Sequence, residues 1–169
     1  MPENSAIAGR LLPLLLVSSV AILDRWSKGL VESRFALYDS FTVIPGFFNI
    51  VRSENPGVAF GILQEGATAG RTAILIALSL IAIAALGIML WKAGGQDRWT
   101  TIGIALIFGG AVGNVYDRVS AGKVTDFLDF YVGGWHWYTF NIADSAICTG
   151  AVLLALSAFL TRPRQEANA

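Results

Sequence analysis

The chain has little with which to bind a metal or cross-link itself. Of its 169 residues one is cysteine, Cys148, and one is histidine, His136. A single cysteine cannot form an internal disulfide, so any part outside the cytoplasm must hold together without one. With no second histidine and no cysteine pair, zinc ligation of the usual kind lacks donors, and no metal or cofactor is expected. Charge is scarce too. Twelve Lys and Arg balance twelve Asp and Glu, 14% of the chain in all. Zero net charge excludes a broad basic face for nucleic acid. What remains is 54% hydrophobic, with a mean hydropathy of +0.60. That is too apolar for an ordinary soluble domain, and long apolar runs mean membrane. Neither an internal repeat nor a low-complexity tract is present.

The expected fold is an all-α integral membrane protein, a single domain of four transmembrane helices with a small extracytoplasmic β-sheet subdomain. The clearest span is the second, at 72–91. Between Ala73 and Trp91 only Ser79 is polar, and this run covers about 28 Å at the helical rise, close to the ~30 Å hydrocarbon core. The third span, 99–116, is glycine-rich and just long enough. The fourth, 140–160, is polar only at its start and at scattered Ser and Thr. The first, 11–30, is uncharged and apolar but for Ser18 and Ser19 as far as Leu23, and then reads Asp24-Arg25-Trp26-Ser27-Lys28. A cleaved signal peptide is the alternative for that segment. Asp24 and Lys28, however, stand at i,i+4 in the order that favours a helix, so the pattern continues helically past the apolar stretch. A retained helix is the better reading.

With four spans, the 1–10 and 161–169 tails share one side with the 92–98 loop. Arg10, Lys92, Arg98, Arg162 and Arg164 are concentrated in these short pieces. By Lys/Arg density both termini are cytoplasmic. The 31–71 segment is then outside. Its Phe41-Thr42-Val43-Ile44 and Phe47-Phe48-Asn49-Ile50-Val51-Arg52 flank a Pro-Gly turn and predict a small hairpin or sheet. The 117–139 connection is expected to be an extracytoplasmic loop whose Trp135, Trp137 and Tyr138 suit an interfacial belt.

The polar residues of the spans gather near that outer side. Asn114, Asp117 and Arg118 share a face at i, i+3 and i+4 if the third helix extends that far. Asn141 and Asp144 do the same at the start of the fourth. Asp126 lies between these helices, and Asn55 comes from the long loop. Carboxylates at a membrane boundary are costly unless used. Two of them within a few ångströms raise one another's proton affinity and share a proton, which suits acid/base hydrolysis. Asn114, Asn141 and Arg118 could orient such a pair.

Blander readings remain open on residue chemistry alone. Asn141 could simply be the N-cap of the fourth helix, with Asp144 in its first turn. Asp117 and Arg118 read best as an end-of-helix ion pair. Gly109 and Gly113 form a small-xxx-small packing pattern. His136 reads as an interfacial side chain and Cys148 as a small core residue. Ser27 and Lys28, adjacent on a helix, point apart and do not make a serine–lysine dyad.

Five ordered motifs go further: Asp24-x-x-Ser27-Lys28, Asn55-x-Gly57-x-Ala59-Phe60, Gly113-Asn114-x-x-Asp117-Arg118, Val124-x-Asp126-Phe127 and Phe140-Asn141-x-Ala143-Asp144. On these the chain resembles the bacterial lipoprotein signal peptidases, signal peptidase II, over nearly its whole length. The resemblance implies an aspartyl endopeptidase of the bacterial cytoplasmic membrane, with its active site near the outer face. Such an enzyme removes the signal peptide from diacylglyceryl-modified prolipoproteins by cutting just before the lipidated cysteine. By the same resemblance Asp126 and Asp144 are the catalytic pair, and Asn55, Asn114, Arg118 and Asn141 line the site. Asp24, Lys28 and Asp117 are structural support. The implied partners are diacylglyceryl prolipoproteins, membrane lipid and globomycin-type inhibitors, with no nucleic acid, and a monomer is expected. Arg25, where the family often has glutamine, and Val58, where alanine is usual, depart from the pattern without touching the pair. The competing class is a small transporter or proton channel using the same carboxylates as a relay. It would need polar groups at several depths, and the second span offers only Ser79.

Overall fold

The computed structural model describes residues 3–57, 68–92 and 97–160. Four helices and a small sheet follow in the order α1 (Glu3–Arg34), β1 (Ser40–Ile44), β2 (Phe48–Asn55), α2 (Thr68–Lys92), α3 (Arg98–Ala121), β3 (Val124–Val132), β4 (Trp135–His136) and α4 (Ile142–Leu160). Ala59, Phe60 and Val58, with the rest of 58–67, lie outside the described residues. So do residues 93–96 and the 161–169 tail that carries Arg162 and Arg164.

The protein is mostly helical. Among the described residues, three helices are long and apolar enough to cross a membrane: Thr72–Lys92, Arg98–Ala121 and Ile142–Leu160. They leave large side chains such as Ile74, Ile81, Trp91, Val152 and Phe159 uncovered, which suits helices solvated by lipid rather than by water. α1 is continuous through 32 residues, about 48 Å at the helical rise. Its C-terminal half carries Asp24, Arg25, Lys28 and Glu32.

α3 packs against the other three helices, and glycine makes the approach possible. A methyl group on Gly110 would overlap the carbonyl oxygen of Ala143 in α4. One on Gly109 would lie 2.8 Å from the Val17 carbonyl oxygen of α1, and one on Gly113 would lie 2.6 Å from Asp24 Oδ2. The small-residue pattern at 109 and 113 therefore seats α1, while Gly110 seats α4. At the far end Asp97 caps α3, accepting from the backbone N–H groups of Trp99 and Thr100. Its Oδ2 also accepts from Ser157 Oγ of α4 at 2.8 Å.

The strands form one four-stranded sheet in the order β1-β2-β3-β4. β1 and β2 are the hairpin expected on either side of the Pro-Gly turn. β3 corrects an expectation: residues 117–139 are not a loop. α3 continues to Ala121 and ends on Gly122, whose φ of +72° closes the helix. β3 then crosses beside β2, with Val124, Thr125, Asp126 and Phe127 all buried. Burial on both faces hides the alternation by which a strand is usually recognised. Phe130 stacks between Phe48 (4.7 Å) and Phe140 (5.8 Å). Cys148 also departs from expectation, since it is exposed on α4 rather than part of the core.

Close packing at Gly110 gives a direct test. Gly110→Ala is expected to cost about 1–3 kcal/mol through overpacking. Gly134→Ala, where a methyl meets nothing within 4 Å, should leave stability unchanged. Thermal unfolding in detergent micelles checks both.

Candidate active site

The junction of β3 with α4 builds the site. Phe140, just before α4, is bridged to Leu128 of β3. Its carbonyl oxygen accepts from the N–H groups of Phe127 (3.0 Å) and Leu128 (2.8 Å). These bonds hold the first residue of the α4 terminus, Asn141, beside Asp126.

Asn141 has two roles at once. It caps α4: its Oδ1 accepts from the Asp144 N–H at 2.9 Å, and Asp144 Oδ2 takes a long 3.4 Å bond from the Asn141 N–H. This reciprocal arrangement satisfies donors that a helix N-terminus leaves unpaired. With its oxygen committed to a backbone donor, the carboxamide turns its NH2 outward, and Nδ2 donates to Asp126 Oδ1 at 2.7 Å. The capping reading and the active-site reading of Asn141 and Asp144 are therefore compatible, and the same atoms serve both.

Asn55 repeats the device. Its Oδ1 accepts from the Gly57 N–H (2.8 Å), and its Nδ2 donates to Asp126 Oδ2 at 3.1 Å. The register pairs Asn55 with Val124 and Ser53 with Asp126, so Asn55 reaches Asp126 as a diagonal cross-strand neighbour. Asn114 Nδ2 donates to Asp144 Oδ1 at 2.7 Å. Each of the four carboxylate oxygens thus faces an N–H donor.

Asp126 is 2% exposed. Burial, and next the charge of Asp144, push its carboxyl up to about 6, against the lowering effect of the Asn55 and Asn141 bonds. A carboxyl raised in this way binds a proton more readily in the folded chain than in the unfolded one. Its contribution to stability is full below the ordinary aspartate value and is lost as pH rises through about 6. A buried carboxyl beside a second carboxylate is the arrangement expected of a pair sharing one proton.

Behind the pair lies a layer of charge. Lys28 and Asp24 are fully buried. Lys28 Nζ bonds Asp24 Oδ2 at 2.6 Å and lies 2.7 Å from Asp117 Oδ2. Asp24 Oδ1 accepts from the Ala143 N–H at 2.9 Å, neutralising another free donor of the α4 terminus. Asp117 does not pair with Arg118, contrary to expectation, because neighbours on a helix diverge. It faces Lys28 and Arg25 (3.1 Å) instead. Arg25 also pairs with Glu32, which accepts from Thr125 Oγ1 at 2.7 Å. Arg118 donates through Nη1 to the Asn114 carbonyl oxygen at 3.2 Å, and its buried Nε has no partner among the described residues.

Glu32, Thr125 and Asp129 escaped the sequence reading. Asp129 is buried, accepting from Asn49 Nδ2 (2.9 Å) and paired with His136 Nδ1 (2.8 Å). Only the β2–β3 register, which sets Asn49 opposite Asp129, could have drawn attention to it. Among the described residues no three His, Cys, Asp or Glu side chains converge as a metal site would require.

Comparison with known proteins bears on this geometry. The family described as signal peptidase (SPase) II matches residues 16–160. A lipoprotein signal peptidase of Solibacter usitatus is 52% identical over 145 residues, 86% of this chain and 87% of its own. One from Photorhabdus laumondii is 45% identical over 151 residues, 88% and 87% of the two chains. A solved bacterial membrane enzyme, determined by the in meso method at 2.3 Å resolution, superposes with a TM-score of 0.81. It is 31% identical, with 94% of this chain and 93% of that one covered.

The hydrogen bonds and the neighbouring charge predict opposite displacements. Carboxyl infrared titration should find Asp126 near pH 6 in the native protein. Asn55→Ala, which removes a lowering bond, should move that midpoint up. Asp144→Asn, which removes a raising charge, should move it down.

Proposed function

The chain belongs to the signal peptidase II family, and on that premise we propose that Asp126 and Asp144 are the aspartates with which it removes the signal peptide from prolipoproteins. It is an aspartic-type protease of the bacterial inner membrane. The observation that carries the assignment is the pairing itself: two carboxylates meeting where β3 joins α4, every oxygen facing an N–H donor.

In the proposed reaction the shared proton sits on Asp126, in keeping with its raised proton affinity. A water between the carboxylates gives a proton to Asp144 as its oxygen attacks the scissile carbonyl carbon. Asp126 protonates the carbonyl oxygen, and a tetrahedral diol forms. In collapse, a diol hydroxyl returns its proton to Asp126 and Asp144 protonates the departing amine nitrogen. The carbon–nitrogen bond breaks, and the pair ends as it began. Asn55, Asn114 and Asn141 keep the carboxylates aligned. Arg118, whose Nε has no partner among the described residues, is proposed to hold a substrate carbonyl.

The substrate is proposed to be the diacylglyceryl form, cut just before its lipidated cysteine. Acyl chains left in lipid would fix the peptide at the depth of the pair, so that binding supplies orientation. α1 is proposed as the fourth span, placing both termini in the cytoplasm and the sheet outside. Exposed Phe41, Tyr38, Trp135, Trp137 and Tyr138 suit the headgroup region there. A globomycin-type inhibitor would occupy the pair, and the protein is proposed to act as a monomer. A relay across the membrane is not favoured, since among the described residues the buried charges, Asp24, Lys28, Asp117, Asp126 and Asp129, gather at one end of the bundle.

Purified protein should cleave a diacylglyceryl prolipoprotein and stop when globomycin is added. Asp126→Asn and Asp144→Asn should each lose at least about a thousandfold in rate while still inserting and melting normally. Ordinary turnover by either variant would overturn the assignment. A reporter fused to the C-terminus should be active only in its cytoplasmic form.

A further inference from the structure

Three carboxamides meet the aspartate pair. In Asn55 and Asn141 a backbone N–H holds the oxygen and so turns the NH2 toward Asp126. Among the described residues no backbone N–H reaches the Asn114 oxygen. Its Oδ1 accepts from Lys28 Nζ at 3.1 Å, with a longer bond of 3.4 Å from Asn141 Nδ2. An ammonium has three donors and no acceptor, so only the oxygen end of the carboxamide can face it. The NH2 end is left for Asp144, which it meets at 2.7 Å.

The ammonium is fully buried. It donates to Asp24 Oδ2 at 2.6 Å, and Asp117 Oδ2 stands at ion-pair distance, 2.7 Å. Asp24 is in turn fastened to α4 by the Ala143 N–H, one residue before Asp144.

We propose that Lys28 is a positioning residue of the peptidase, fixing the Asn114 carboxamide with its NH2 toward Asp144. This rests on the reading of Asp126 and Asp144 as the reacting pair. Without the ammonium the carboxamide can turn over and present oxygen to Asp144. Two oxygens repel unless the carboxyl carries a proton, and a protonated Asp144 cannot accept one from water. The plainer role for Lys28 is neutralising buried carboxylates, and the two roles separate experimentally.

Lys28→Met alone leaves Asp24 buried without its counter-ion, which can unfold the chain for unrelated reasons. Asp24→Asn with Lys28→Met removes one charge of each sign, and Asp117 keeps Arg25. In the full-length membrane protein this double variant should melt near the wild type. It should lose about 30-fold in kcat with KM held within about twofold, the effect of one misdirected charged hydrogen bond. Adding Asn114→Ala should then cost little more, although Asn114→Ala alone is damaging, because both changes disable the same contact. Wild-type kcat in the double variant, or a full multiplicative loss on adding Asn114→Ala, overturns the proposal. If the double variant does not accumulate, Lys28→Gln is scored by the same cycle, since its amide can offer Asn114 either end. Asp144→Asn assayed alongside tests the pair separately, so failure of that reading is distinguishable from failure of this one.

Discussion

A lysine ammonium with no access to solvent lies between two carboxylates, and the sheet end of the molecule is arranged about it. Isolated burial of such a charge costs several kcal/mol. Lys28 is compensated by Asp24 on its own helix, by Asp117 on α3 and by the carboxamide oxygen of Asn114. Each partner does something further. Asp24 takes an N–H of the α4 terminus, Asp117 takes Arg25, and Asn114 reaches Asp144. One buried cation thus ties α1 to α3 and α4 at the depth where the aspartates meet.

The same economy governs the α4 terminus. A helix beginning in a buried place must satisfy its first N–H groups. Here Asn141 and Asp24 do so, and in doing so they orient the donor that holds Asp126. The side chain that caps the helix is thus the one that reaches Asp126. The two aspartates are also unlike in their settings. Asp144 sits in the first turn of a helix, where the helix dipole favours negative charge. Asp126 sits in a buried strand facing that charge, and its proton affinity rises accordingly.

Much of this was legible in the chain. The i,i+4 spacing of Asp24 and Lys28 predicts their contact, and the i,i+3 spacing of Asn141 and Asp144 predicts the cap. The apolar runs mark α2, α3 and α4, and the Pro-Gly turn marks the β1–β2 hairpin. The misses share a physical origin. The pattern of β3 reads as loop because its residues are buried on both faces and lack alternation. Sequence adjacency offers Asp117 only Arg118 as a partner, whereas Lys28 and Arg25 of another helix hold it. Cys148 reads as core because apolar composition does not distinguish a face toward protein from a face toward lipid. Glu32 and Asp129 are tied into the sheet by Thr125 and Asn49, which are far off in sequence, and their nearer partners Arg25 and His136 stand seven positions away, beyond the i,i+4 range.

The sequence by itself determined the apolar helices, the cap of α4 and the family, because each depends on residues within a few positions or on an ordered set of motifs. Only the tertiary structure decided what the polar groups do to one another. The direction of the Asn114 carboxamide is settled by a three-dimensional neighbour: an ammonium 86 residues away in sequence turns its NH2 toward Asp144. Asn55 and Asn141 are turned by N–H groups two and three residues on, but no spacing along the chain encodes which end of Asn114 faces Asp144.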